Sequence, residues 1–155
     1  MSDLKQIGFI GLGIMGKPMA KNLIKAGFEL QVHSRSNGPV KELGALGAKE
    51  TSTPAECAEN MDAVVTMLPD GPDSESVILG ENGVLEGAKK GAIIIDMSSI
   101  APAISQKIAK SCETSGAEFL DAPVSGGEPG AIEGTLAIMV GGKQGVFDGS
   151  QNIFA

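Results

Sequence analysis

Hydrophobic and polar positions along this chain follow two rhythms in turn. Short apolar runs of strand length recur at residues 6–10, 62–68, 92–97, 117–121 and 135–140, and Glu29-Leu30-Gln31-Val32-His33 alternates with period two. Between them lie stretches with helical spacing. Met15, Met19 and Leu23 recur at i, i+4, i+8 over 14–26, as do Ile104, Ile108 and Cys112 before Gly116. Residues 39–46 read as a short helix and 48–50 as a short strand. Thr53-Pro54-Ala55-Glu56 has the hydroxyl, proline and acid of a capped helix start. Residues 74–79 read as helix, Gly80-Glu81-Asn82-Gly83 as a turn, and Ser98-Ser99-Ile100-Ala101-Pro102 as a helix start. The run 62–68 is apolar almost throughout, as in a strand covered on both faces. Strands alternating with helices predict an α/β fold: a Rossmann-type, doubly wound, mostly parallel sheet. The pattern leaves the direction of the seventh strand, 135–140, open.

The first strand runs into Gly11-Leu12-Gly13-Ile14-Met15-Gly16, the G-x-G-x-x-G spacing. In a dinucleotide site the first glycine makes the tight turn, the second lets a pyrophosphate approach the backbone, and the third lets helix and strand pack closely. The helix that follows points free N–H groups and its positive dipole end at that phosphate. Lys17, Lys21 and Lys25 fall on its solvent face, and Gly27 is its stop. Alone, the spacing also fits a tight strand-to-helix turn that binds nothing; the strand before it and the helix after it favour the dinucleotide.

The second strand ends at His33, followed by Ser34-Arg35-Ser36. An acid there would hold the adenosine ribose 2′-hydroxyl of NAD, and none is present. Arg35 flanked by two hydroxyls suits a 2′-phosphate instead, so NADP is expected ahead of NAD. The plainer reading of Arg35 is a solvated turn residue. His33, the single histidine, reads as a strand end rather than a catalytic group.

Composition narrows the class. The 155 residues are 42% hydrophobic, enough for one globular domain. No apolar run approaches a membrane span, and the first residues lack a signal-peptide pattern. A net charge of −7 argues against a nucleic-acid partner and leaves anion binding to local devices. Cys57 and Cys112 have no metal-ligand spacing, no metal site is expected, and both read as free thiols in a cytoplasmic protein.

Later in the chain, Asp121-Ala122-Pro123-Val124-Ser125-Gly126-Gly127 places a hydroxyl beside two glycines, a backbone concavity able to hold an anion. This stretch follows the glycine motif, Met67-Leu68-Pro69 and Asp96-Met97-Ser98-Ser99, and precedes Gly134-Thr135-Leu136 and Met139-Val140-Gly141-Gly142. In this order the motifs resemble the β-hydroxyacid dehydrogenases, over residues 6 to about 148. The resemblance implies a nicotinamide-dependent reduction of a small carboxylated aldehyde, such as tartronate semialdehyde, to its hydroxy acid. It implies that Gly11, Leu12, Gly13, Ile14, Met15 and Gly16 hold the pyrophosphate. Ser34, Arg35 and Ser36 would face the adenosine ribose, and Met67, Leu68 and Pro69 would line the cofactor cleft. Ser98 would sit near the nicotinamide, and Ser125, Gly126 and Gly127 would hold the substrate carboxylate. The family's catalytic Lys lies on a C-terminal all-helical domain, about thirty residues beyond Gly141-Gly142, so no catalytic residue is expected within these 155. The full-length protein would be a homo-oligomer. Residues 148–155 fit the family's helical pattern poorly and read as a truncation or cloning scar. The alternatives are a sibling activity within the same family, such as that of the 3-hydroxyisobutyrate dehydrogenases, and, from a different class, a non-catalytic NAD(P)-binding module.

Overall fold

The computed structural model describes residues 4–154. Its first unit is strand β1 (Gln6–Ile10), helix α1 (Gly16–Lys25) and strand β2 (Glu29–His33). Helix α2 (Asn37–Ala45), strand β3 (Lys49–Glu50), helix α3 (Pro54–Ala58) and strand β4 (Ala63–Thr66) follow. Helices α4 (Gly71–Leu79) and α5 (Val84–Gly87), strand β5 (Ile93–Asp96), helix α6 (Pro102–Ser115) and strand β6 (Glu118–Asp121) complete a parallel six-stranded sheet in the order β3-β2-β1-β4-β5-β6. Strand order runs outward both ways from β1 and β4. Their carboxyl ends therefore flank a crevice, where open α/β sheets bind ligands.

Alternate residues of each strand feed two cores, one on each face. Ile7, Phe9, Val65, Ile95 and Leu120 pack on one face, against Met19 and Ala20 of α1. Ile10, Val64 and Ile94 pack on the other, with Cys57, Ile78, Ile108 and Cys112. Both thiols are buried and free. Burial pushes each up to about 12, so they are inert components of this core. Met15, Met19 and Leu23 all turn toward the first core, as their spacing requires. Lys17 and Lys21 reach Glu42 of α2, at 3.5 and 2.6 Å. These are exposed, solvent-screened pairs that add little to stability.

Several elements begin where the pattern did not place them. Helix α4 starts at Gly71 rather than at 74, because Asp70 is its N-cap: the Asp73 amide donates to the Asp70 carboxylate at 3.0 Å. The Pro69–Pro72 stretch is thus a loop that turns into a helix. Helix α6 starts at Pro102 after Ala101, with no hydroxyl cap. The turn at 80–83 leads into the unforeseen α5, and β7 (Val124–Ser125) and α7 (Gly127–Glu133) were also not legible in the pattern.

The expected seventh strand over 135–140 shrinks to β8 (Ala137–Ile138). It pairs antiparallel with β7 in a separate two-stranded sheet. Its alternating exposure, with Met139 at 66%, explains why it does not join the doubly covered sheet. Helices α8 (Gln144–Gly149) and α9 (Gln151–Phe154) close the described chain. Ile153 is buried there, and the Asn152 side chain donates to the Leu4 carbonyl at 2.8 Å. No helix among the described residues is long and apolar enough to cross a membrane.

Candidate functional site

The turn after β1 shows the three glycines in three different situations. Gly11 has a φ of +98°, and a Cβ there would run into the Met67 carbonyl. Its amide donates to the His33 carbonyl at 3.0 Å, which ties the turn to the end of β2. A Cβ on Gly16 would strike the Gly11 carbonyl and approach the Phe9 ring at 3.4 Å. Gly13 is exposed, and a Cβ there would meet nothing within 4 Å. Two glycines are needed by the protein's own packing. The middle one leaves open backbone at the N-terminus of α1, where an anion finds free N–H groups.

A cleft of about 590 Å³ opens over this backbone. Gly11 to Gly16 form its floor, with Ser34 and Arg35 at one end and Met67, Leu68 and Pro69 on the wall, so most of the expected cofactor residues come together here. A second cavity, of about 110 Å³ between α1 and β8, is lined mostly by apolar side chains and is too small for a dinucleotide.

Two expected residues sit off the cleft. Ser36 is at the N-cap position of α2 and is exposed, without a side-chain cap. Ser98 is fully buried beneath the wall, where its Oγ accepts from the Leu68 amide at 2.7 Å. Ser98 therefore fixes the Met67-Leu68-Pro69 loop from below.

The stretch expected to hold a substrate carboxylate is presented separately. Ser125 ends β7, and Gly126 and Gly127 take φ values of +135° and +61° before α7. All three are exposed. Asn22 of α1 donates to the Ala131 carbonyl of α7 at 2.7 Å, which fastens the two helices. Glu128 and Ile132 of α7 consequently share a groove with Gly13, Ile14 and Lys17. The fold thus brings helix α7, which follows the serine-glycine stretch, against the glycine turn, while Ser125, Gly126 and Gly127 themselves line neither this groove nor the cleft. Residues 6–155, which build this sheet and its glycine turn, match the family described as the NAD binding domain of 6-phosphogluconate dehydrogenase.

The chain belongs to the β-hydroxyacid dehydrogenases.

It is 49% identical over 150 residues to 2-hydroxy-3-oxopropionate reductase of Escherichia coli, covering 96% of this chain and 51% of that protein. It is 45% identical over 153 residues to mitochondrial 3-hydroxyisobutyrate dehydrogenase of Rattus norvegicus, covering 99% and 46%. The solved 3-hydroxyisobutyrate dehydrogenase of Mycobacterium tuberculosis, with L-serine, superposes with a TM-score of 0.91 at 32% identity, covering 97% of this chain and 51% of that one. The chain spans about half the length of the curated relatives it matches.

Sequence reasoning missed two groups, one at this cleft and one at the neighbouring ends of β5 and β6. Val77 of α4 lines the cleft, and Asp73, one turn earlier, holds Arg35 at 2.8 Å. The Asp70-Gly71-Pro72-Asp73 pattern, read as a capped helix start, would have pointed to α4. The second group is a carboxylate pair at the neighbouring ends of β5 and β6, where Asp96 and Asp121 are in register. Asp96 Oδ1 accepts from the Thr66 hydroxyl at 2.9 Å and from the Ser98 amide at 3.1 Å. Asp96 Oδ2 and Asp121 Oδ1 are buried without a partner.

Burial, and then the neighbouring Asp96, push the Asp121 carboxyl above its ordinary range, against the Ser105 hydroxyl, which lowers it. A raised folded value favours the protonated acid. Its contribution to stability is complete below the unfolded value and lost as pH rises through the folded one. Asp121→Asn removes the charge that burial and Asp96 oppose. An unsatisfied buried acceptor costs about 1–3 kcal/mol. The variant should melt roughly 2–4 °C above the parent at pH 7, for about 1 kcal/mol, and the gap should close toward pH 3. A gap that is the same at every pH would exclude Asp121 as its source.

Proposed function

We propose that the cleft binds a reduced nicotinamide dinucleotide, NADP(H) ahead of NAD(H). In this reading the chain is the cofactor domain of a reductase acting on a small carboxylated aldehyde such as tartronate semialdehyde. The observation that carries the dinucleotide is Gly13: open backbone at the head of α1, between two glycines closed by packing. The activity that the E. coli relative is named for supports the aldehyde. The relatives named 3-hydroxyisobutyrate dehydrogenase favour a second reading, in which the substrate is 3-hydroxyisobutyrate or its aldehyde.

Gly11 to Gly16 hold the pyrophosphate through backbone amides, and Ser34 and Arg35 take the adenosine end. Met67, Leu68 and Pro69 form an apolar wall beside the nicotinamide and exclude water. Ser98 holds that wall in place through the Leu68 amide. Ser125, Gly126 and Gly127 fix the substrate carboxylate and thereby turn the carbonyl carbon toward the cofactor. When bound, the nicotinamide supplies the hydride. The proton for the forming alkoxide comes from the family's lysine, outside these residues. The full-length protein is a cytoplasmic homo-oligomer.

Titration of the chain with NADPH and NADH, followed by nicotinamide fluorescence, tests the cofactor. A charge-assisted hydrogen bond is worth about 1.5–3 kcal/mol. Arg35→Ala should therefore narrow the preference for NADPH by roughly 10- to 100-fold. Equal affinity of the parent for the two cofactors would refute the ranking. Assay of the full-length protein with tartronate semialdehyde against 3-hydroxyisobutyrate decides the substrate.

A further inference from the structure

The end of β2 carries no acid of its own, but the fold delivers one from elsewhere. The Asp73 carboxylate of α4 lies 2.8 Å from the Arg35 guanidinium. Asp73 is placed firmly: it stands in the first turn of α4, its amide donates to the Asp70 cap, and Pro72 precedes it. Val77, four residues on and so on the same helical face, lines the cleft beside Ser34 and Arg35. The Asp73 side chain is 29% exposed, whereas that of Arg35 is 76% exposed and can swing toward a ligand or back to its partner. The adenosine end of the cleft thus presents a cation and an anion together.

We propose that Asp73 is a second specificity-determining residue, which limits the NADP preference that Arg35 creates. The proposal rests on the reading that the cleft holds the adenosine ribose at Arg35. A 2′-phosphate carries about −1.5 to −2 charges at neutral pH. It must draw Arg35 away from Asp73 and then sit close to a carboxylate of its own sign. A 2′-hydroxyl meets the opposite situation: it donates its proton to Asp73 while Arg35 remains paired. Arg35 favours NADP, Asp73 favours NAD, and together they make a site that accepts both.

The test measures dissociation constants for NADP+ and NAD+ on the parent, Asp73→Asn, Asp73→Ser and Arg35→Ala, with circular dichroism confirming that each is folded. Both Asp73 variants should raise the NADP+ to NAD+ affinity ratio by about tenfold, the lower end expected for one charge-assisted hydrogen bond. Tighter NADP+ binding and weaker NAD+ binding should both contribute. A ratio that changes less than threefold in both variants, while Arg35→Ala still weakens NADP+, overturns the role of Asp73 and leaves the cleft assignment standing. Unchanged NADP+ affinity in Arg35→Ala overturns the adenosine placement, and the proposal with it.

Discussion

Gly13→Val should leave the chain folded and weaken NADPH binding at least 100-fold. The two halves of this expectation come from one position. No protein atom lies within 4 Å of a Cβ at Gly13, so the substitution meets no clash inside the molecule. The space it fills lies over the N-terminus of α1, where the pyrophosphate must come within hydrogen-bond distance of backbone amides. A branched side chain there keeps the phosphate out of that range, and 100-fold corresponds to about 2.8 kcal/mol. Gly16→Val is the contrasting control. Its Cβ would strike the Gly11 carbonyl behind the turn, so it should lower the melting temperature as well as affinity. Calorimetric titration with thermal melts separates the two. A folded Gly13→Val chain that binds NADPH as tightly as the parent removes the phosphate from this turn.

The second large effect concerns turnover. The 155-residue chain should bind NADPH yet turn over at least about a thousandfold more slowly than a full-length relative. Its lysines nearest in sequence to the family's position are engaged elsewhere. Lys89 pairs with Asp62 at 3.3 Å, Lys107 with Glu75 at 2.7 Å and Lys143 with Glu118 at 3.6 Å. Lys90 and Lys110 are exposed, and none of these five lines the cleft. General acid catalysis contributes typically about 10²–10⁴-fold, and positioning by a second domain contributes more. Side-by-side assay of the chain and its full-length counterpart on tartronate semialdehyde measures the difference. Comparable rates would place the proton donor within residues 1–155.

Much of the sheet was legible because its signals are local. The run into Gly11, the periodicity of Met15, Met19 and Leu23, and the Thr53-Pro54-Ala55-Glu56 start each declare an element without help from distant residues. The Thr53 hydroxyl does accept the Glu56 amide, at 3.1 Å. Ser98 was harder to place. Nothing near it in sequence reveals that the Leu68 amide, thirty residues earlier, claims its oxygen. Asp73 was invisible for the same reason: its partner Arg35 lies on another element. The β7–α7–β8 segment failed on pattern, because two-residue strands give too little alternation to read and the glycines between them look like loop.

The small β7–β8 ladder has an evolutionary consequence. Among the described residues it joins the main sheet through the Asp121–Gly141 bridge, where the two residues exchange amide hydrogen bonds at 2.9 and 2.7 Å. None of the parallel ladders beneath the glycine turn depends on its register. The stretch proposed to meet the substrate can therefore lengthen, shift or change its side chains while the cleft over the glycine turn keeps its shape. Such an architecture lets substrate range diverge across a lineage while the source of reducing power is inherited intact.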